Sequence, residues 1–318
     1  MPLSQDPHVN EVAADTVSTL NKLFGEHAGF RAAHARGVLL NGTFTPTPKA
    51  AELSSAPHFN ASSTPVTARF SSSTGLPKIP DNDPSAEPRG FAVRFDLGPH
   101  QHTDIIGHST DAFPTANGED FLAFFKAVIA SPPGTPSPTP VEQFLGAHPA
   151  ALAFVTTPKP HPLSFGTESF FALNAFKFTS ASGASRFGRY TWVPKAGVQH
   201  FDEAGAASLG ADYLFDELVT RLGSGPVEYE LWLQLAEDGD VTDNVTVKWP
   251  AERERVLLGT VSLDKIAEDG AQAAKHIIFD PIPRVQGVEA SADPILEMRA
   301  AVYLISGKKR RAAPALEA

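Results

Sequence analysis

Short β-rich runs separated by turn residues dominate this chain and limit the folds that it can adopt. Four of them lie within residues 36–110 and read RGVLLNGTFT, TPVTARFSSS, RGFAVRFDLG and HTDIIGHST. The later runs are FFALNAFKFTS, RYTWVPK, VEYELWLQL, NVTVKWP and VLLGTVSL. Glycine, proline, serine and asparagine between such runs are typical of antiparallel strands joined by turns. The pattern predicts an α+β fold built on an antiparallel eight-stranded β-barrel with surrounding helices.

Other segments have the apolar spacing of amphipathic helices. They are residues 9–29, 118–131, 211–223 and 292–310. The proline-rich run 131–140 reads as a surface loop, and strand patterns of the same character lie on both sides of it. We therefore expect an N-terminal helical arm over 1–29, one barrel domain over 30–312 and a tail over 313–318.

Composition excludes several kinds of chemistry. The chain has no cysteine, so disulfides, cysteine metal sites and a thiolate haem ligand are ruled out. A net charge of -10 argues against nucleic acid or an anionic membrane as partner, and no apolar run is long enough to span a bilayer. The basic run 308–311 is interpreted as a solvated tail. The start of the chain does not resemble a secretory signal, which predicts a cytoplasmic protein.

A few polar side chains have spacings suited to chemistry, although each also has an ordinary structural explanation. An arginine three positions before a histidine can belong to an exposed loop, and arginines around a strand usually face solvent. In the last helix an arginine precedes a tyrosine by one turn, so that its guanidinium can reach the phenol oxygen. These candidates are Arg31 with His34, Arg69 with Ser71, Arg89 and Arg94, and Arg299 with Tyr303.

Taken in order, several segments resemble the haem catalase family over most of residues 24–310. They are RAAHARG, VTARFSS, EPRGFAVRFD, DIIGHST, VTVKWP and FDPIPRVQGVEASADPILEMRAAVY. The last is the most specific, because catalases have FDP, a gap and then GIEASPDKMLQGRLFSY. The resemblance implies the catalase barrel and a haem b cofactor.

The resemblance also implies a role for each matching residue. His34 falls at the family's distal histidine and Ser71 at its distal serine, which makes both predicted catalytic residues. Tyr303 falls at the tyrosine that ligates the iron and is the predicted metal ligand. The residues implied to bind the cofactor are Arg31 and Arg69 at the propionates, Phe113 and Phe121 along the distal pocket and haem face, and Arg299 beside Tyr303.

The chain also departs from the family pattern. Catalases have a distal asparagine in a segment VGNNTP, whereas this chain reads IIGHST, which places His108 there as a third predicted catalytic residue. The C-terminal portion that bears the NADPH site in many catalases, and most of the long N-terminal arm, have no counterpart. In this the chain resembles the small catalase-related peroxidases.

These features predict an oxidoreductase that reduces hydrogen peroxide or organic hydroperoxides and oxidises small organic donors, with weak catalase activity. His34 would move the proton between the two peroxide oxygens. A monofunctional catalase and a hydroperoxide isomerase are the alternatives, and a non-catalytic ligand-binding barrel is the least favoured. Catalase tetramers rely partly on long arms that have no counterpart here, so we predict a homodimer.

Overall fold

A computed structural model describes residues 2–206 and 208–314, apart from the side chain of Glu203. The helices within these residues are α1 Pro7–Phe24, α2 Pro48–Leu53, α3 Pro57–Asn60, α4 Gly118–Ile129, α5 Pro140–Ala147, α6 Pro149–Thr156, α7 Glu203–Ala206, α8 Tyr213–Leu222, α9 Gly270–His276 and α10 Pro294–Ala312. The strands are β1 Gly37–Pro46, β2 Thr64–Ser71, β3 Gly90–Asp96, β4 His102–His108, β5 Phe170–Thr179, β6 Ser185–Pro194, β7 Val227–Leu235, β8 Arg255–Ile266 and β9 Val288–Ala290. Residues 315–318 of the expected tail lie outside the described residues.

The first eight strands form a closed antiparallel barrel, which confirms the predicted fold. Their order is β4-β3-β2-β1-β8-β7-β6-β5, and β4 pairs with β5 where His108 lies opposite Phe171. Gly107 permits this closure, because a Cβ there would lie 3.0 Å from the Phe171 backbone. The short β9 pairs with β5 outside the eight-stranded ring.

Side chains that alternate along the strands fill the barrel. In β7 the buried residues fall at every second position, and all of them are apolar or aromatic. At the centre the ring of Phe70 stacks on Phe91 at a centroid distance of 4.6 Å and on Phe165 at 4.9 Å. The barrel interior is therefore packed with phenylalanine, which accounts for many of the 22 in the chain.

The prediction of a strand over NVTVKWP is wrong, because this segment is a loop between β7 and β8. The guanidinium of Arg189 donates to the carbonyl of Val247 at 2.7 Å, and the indole of Trp249 donates to that of Val241 at 2.7 Å. The guanidinium also lies 4.3 Å from the centroid of the Trp249 ring. Side chains thus donate hydrogen bonds to backbone carbonyls that, in a β-strand, would bond to a neighbouring strand.

The expected arm is mainly α1, which packs on α4 and α10. The Asp6 side chain caps α1 by accepting the amide of His8 at 2.8 Å. One buried face of the helix, with Val12 and Val17, contacts apolar residues of the other two helices. In the part of the chain that the structure describes, no helix is long and apolar enough to cross a membrane. The division into arm, barrel domain and tail stays a proposal.

One histidine away from any cavity makes the fold sensitive to acid. The His58 side chain is 1% exposed, contacts Phe59 and Phe95 at ring centroid distances of 3.9 and 4.6 Å, and has no hydrogen-bond partner for either nitrogen. This burial lowers the His58 pKa to about 3. The unfolded chain protonates His58 near pH 6.5, whereas the folded chain does not, so stability falls as pH drops from about 6.5 towards 3.

We expect His58→Leu to stabilise the protein and to weaken this pH dependence. Removing an unsatisfied buried polar group should raise the free energy of unfolding at pH 7 by roughly 1–3 kcal/mol. Urea unfolding followed at several pH values between 4 and 7 measures both effects. The exposed His276, changed to leucine in the same way, is the matched control. A His58→Leu curve that runs parallel to that of the parent protein would contradict the prediction.

Candidate active site

Residues from both ends of the chain line a cavity of about 830 Å³, a volume that includes its open mouth. Most of the predicted site residues meet there, namely Arg31, His34, Arg69, Ser71, His108, Arg299 and Tyr303. Phe113 and Phe121 are not among the lining residues. The aromatic walls come instead from Phe91 of β3 and from Phe279 in the loop between α9 and β9.

Strand register brings one group of polar side chains to the same edge of the barrel. Ser71 ends β2, pairs with Gly90 at the start of β3, and Gly90 in turn pairs with His108 at the end of β4. His34 precedes β1, in a left-handed backbone conformation with φ of 55°, and its amide donates to the Ser73 carbonyl at 2.7 Å. Its Nδ1 lies 3.1 Å from Ser71 Oγ. The hydroxyl therefore orients the imidazole.

Gly90 supplies the space that this arrangement requires. A Cβ at Gly90 would lie 2.6 Å from Ser71 Oγ and 2.9 Å from His34 Nδ1, closer than a Cβ atom comes to such atoms in a folded protein. Any larger residue would displace the hydroxyl or the imidazole. Glycine in a strand often marks such a close approach, but the segment RGFAVRFD did not indicate which residues approach it.

The surroundings keep His34 neutral. Removal from bulk water and the positive charges of Arg69 and Arg31, together with nearby His108, lower the His34 pKa to about 3. Since this value lies far below neutrality, the imidazole carries no charge at pH 7. A neutral imidazole beside a cavity can accept a proton from a bound molecule and later return it.

His108 is the second imidazole on this side of the cavity. Burial, followed by the charge of Arg299, lowers the His108 pKa to about 4, so it is also neutral at pH 7. Its Nδ1 is buried and has no hydrogen-bond partner in the described residues. Its ring stacks on Phe113 at a centroid distance of 6.3 Å, and Phe113 stacks on Phe121 at 5.8 Å. Phe113 thus packs against His108 without lining the cavity, and Phe121 packs against Phe113.

Helix α10 presents Tyr303 to the cavity. The Arg299 Nε, one helical turn earlier, donates to the phenol oxygen at 3.2 Å. Arg299 Nη1 donates to Asn174 Oδ1 of β5 at 2.6 Å, and the Asn174 amide donates to Asp293 Oδ2 at 2.9 Å. Asp293 also caps α10 through the amide of Ile295. This chain of hydrogen bonds holds the Arg299 guanidinium against the phenol oxygen.

The other tyrosines of the chain lie elsewhere, and their phenols stay protonated. Burial raises the pKa of Tyr190, Tyr213 and Tyr229. None of the three lines the cavity. Tyr303 is therefore the tyrosine in position to bind a metal in this cavity.

Three arginines converge on the cavity without a carboxylate to balance them. Within residues 2–206 and 208–314, Arg31, Arg69 and Arg310 form no ion pair with a carboxylate and donate only to backbone carbonyls, at 2.7–3.1 Å. Burial is the largest cause that lowers the pKa of Arg69 to about 9 and of Arg310 to about 10. The buried Nε of Arg69 has no partner. Such a cluster is suited to an anionic ligand.

The interpretation of residues 308–311 as a solvated tail is wrong for Arg310. Helix α10 continues to Ala312, and the Arg310 side chain is 4% exposed. It lies seven residues after Tyr303, which is two helical turns, so both face the cavity. The helical spacing of Arg299, Tyr303, Ser306 and Arg310 would have revealed this face.

The arginines around β3 are not solvent-facing either. Arg89 is fully buried, and its guanidinium bonds the Glu87 carboxylate at 2.7 Å and Ser72 Oγ at 2.8 Å. Arg94 pairs with Asp104 through two hydrogen bonds of 2.9 and 2.8 Å, and it also donates to the carbonyl of Ile278. This last bond fixes the loop that supplies Ile278 and Phe279 to the cavity.

Comparison with known proteins agrees with this geometry. A family model described as Catalase matches residues 13–315. The chain belongs to the catalase family. It is 33% identical to a catalase-related peroxidase of Synechococcus elongatus, over 92% of this chain and 87% of the relative. It is 34% identical to a catalase-related peroxidase of Mycolicibacterium paratuberculosis, over 90% of each.

A solved structure agrees on the fold. The barrel superimposes on that of a fungal catalase with a TM-score of 0.78 at 21% identity, over 93% of this chain. This chain spans 62% of the length of that catalase. Both the resemblance seen in the sequence and the predicted barrel are therefore confirmed.

Membership of the catalase family implies a haem cofactor, and the cavity residues fit one. Haem is a flat apolar ring with two carboxylates, and the cavity combines apolar walls with guanidiniums that have no carboxylate partner. The described residues contain no cluster of three histidine or carboxylate side chains that could hold a metal ion.

Proposed function

We propose that the chain is a haem-dependent peroxidase that reduces hydrogen peroxide or organic hydroperoxides, oxidises small organic donors and has weak catalase activity. One observation carries the proposal: a neutral His34 held by Ser71 lines the same cavity as a Tyr303 phenol held by Arg299. The catalase-related peroxidases that match nearly the full length support the same function.

In this proposal Tyr303 would bind the iron of haem b, and Arg299 would stabilise its phenolate. Arg31, Arg69 and Arg310 would hold the two propionates, which would offset two of their three positive charges. A haem held there would supply the redox chemistry that O–O cleavage requires.

The chain's own contribution to the reaction is the control of a proton. His34 takes the proton from one oxygen of the hydroperoxide and returns it to the other, which leaves as water or an alcohol. Ser71 holds the imidazole ring in one orientation through its contact with Nδ1. Over a full cycle one hydroperoxide and two donor hydrogen atoms give one alcohol and one water.

His108 provides the preference for peroxidase over catalase turnover in this proposal. It occupies the position where the family pattern has an asparagine, and it is a neutral, bulkier group with an unpartnered nitrogen. A second hydrogen peroxide would meet an imidazole there in place of an amide. We propose that this change disfavours its oxidation to oxygen.

A spectrum and two rates test the function. Protein produced with ample haem should show a Soret band, and it should oxidise a phenolic dye faster than it evolves oxygen from hydrogen peroxide. Oxygen evolution as the main reaction would instead identify a monofunctional catalase. A haem-loaded protein that consumes no hydroperoxide would contradict the proposal. The cytoplasmic location and the homodimer stay predictions.

A further inference from the structure

A second, smaller pocket of about 350 Å³, including its open mouth, adjoins the main cavity. The two share Arg31, Ala32, Ser306 and Arg310 as a common wall. None of His34, Ser71 and His108 lines the second pocket. A molecule in it would therefore reach the arginine edge of the main cavity without occupying the peroxide side.

The arginine cluster around the shared wall keeps a positive charge even when the cofactor is bound. Arg31 and Arg310 of the wall and Arg69 of the main cavity contribute three positive charges, and haem b would bring two propionates, so one guanidinium charge is left over. In the pocket mouth the exposed Lys309 offsets the exposed Glu26. An excess of positive charge in a concave surface attracts small anions.

The remaining lining suits an organic rather than an inorganic anion. Val17 and Phe30 contribute apolar surface, while Asn21 and Ser306 contribute neutral polar groups. Ser306 Oγ accepts the amide of Ala32 at 3.3 Å, which leaves its hydroxyl proton free to donate. A few polar groups within an apolar lining are typical of small-molecule sites.

We propose that this pocket binds the electron donor of the peroxidase, and that the donor is a small aromatic carboxylate such as a hydroxybenzoate. The inference rests on the proposed function. The carboxylate lies toward the surplus positive charge and Lys309, and the ring packs against Val17 and Phe30. Because His34, Ser71 and His108 do not line this pocket, donor binding does not compete with hydroperoxide.

Reversing one charge tests the proposal, with a neighbouring lysine as matched control. Lys309 lines the pocket, whereas Lys308, equally charged and exposed, does not. In calorimetric titrations of the haem-loaded protein without peroxide, Lys309→Glu should bind 4-hydroxybenzoate roughly fivefold to tenfold more weakly than the parent. Lys308→Glu should bind it as the parent does. Uncharged 4-methoxyphenol should bind all three proteins alike.

Steady-state rates supply a second readout. With Lys309→Glu the KM for 4-hydroxybenzoate should rise by a similar factor, while kcat and the KM for hydroperoxide stay unchanged. Equal effects of Lys308→Glu and Lys309→Glu, or competition between donor and hydroperoxide, would overturn the donor site. These outcomes presuppose a Soret band and hydroperoxide consumption in the parent, so failure of the proposed function is recognised separately.

Discussion

Replacing Tyr303 with phenylalanine should leave a folded protein that binds haem at least about tenfold more weakly. Losing a residue that merely supports a metal ligand typically costs about 10–100-fold in metal affinity, and loss of the ligand itself should cost no less. The aromatic ring remains, so the apolar contacts in the cavity are kept. Haem titration followed by absorbance measures the affinity, and the spectrum of any bound haem should lack the features of phenolate ligation.

The matched control is Tyr213→Phe, which removes a phenol oxygen that donates to the Pro162 carbonyl at 3.0 Å, away from the cavity. It should bind haem as the parent does. If Tyr303→Phe binds haem with the affinity and spectrum of the parent, Tyr303 is not the ligand.

Replacing His34 with alanine should slow hydroperoxide cleavage by at least about 100-fold, the usual scale for a general acid–base group. Haem content should be unchanged, because the proposed ligand and propionate partners are untouched. Stopped-flow mixing of the haem-loaded protein with hydrogen peroxide measures the step directly. The alanine substitution of exposed His276 is the control and should react at the parent rate.

The parent rate also has an expected pH dependence. Because the His34 pKa is about 3, the imidazole is uncharged throughout the neutral pH range. The cleavage rate should therefore stay constant from pH 8 down to about pH 5. A rate that halves near pH 6.5 would show that His34 titrates like an exposed histidine.

Much of the barrel could be predicted because period-two alternation and turn residues are local signals. The strand β7 shows this, since every second residue of VEYELWLQL faces the core. The same alternation wrongly predicted a strand over NVTVKWP. There the side chain of Arg189, which belongs to β6, donates to a backbone carbonyl instead. Helix α5 was missed because it has only eight residues, which begin at the end of the proline-rich run and are too few to show a helical period.

The candidate site was predictable to a different extent for each residue. The spacing of Arg299 and Tyr303 within one helix is a local signal, and the structure bears out their hydrogen bond. Arg310 was not recognised because it lies in a run of basic residues, although its helical spacing places it on the same face of α10 as Arg299 and Tyr303. Gly90 and Asn174 act through strand register and a contact to another element, neither of which can be read from residue spacing.

The cavity residues come from both ends of the chain, so they are synthesised at different times. Strand β8 ends at Ile266, so every strand of the barrel is synthesised before the helix that contains Tyr303. Helix α1, made first, packs against that last helix. Contacts between such distant parts of a chain form late. If Tyr303 binds the haem iron as proposed, a nascent barrel that lacks α10 also lacks this ligand, and haem binding follows the synthesis of the last helix.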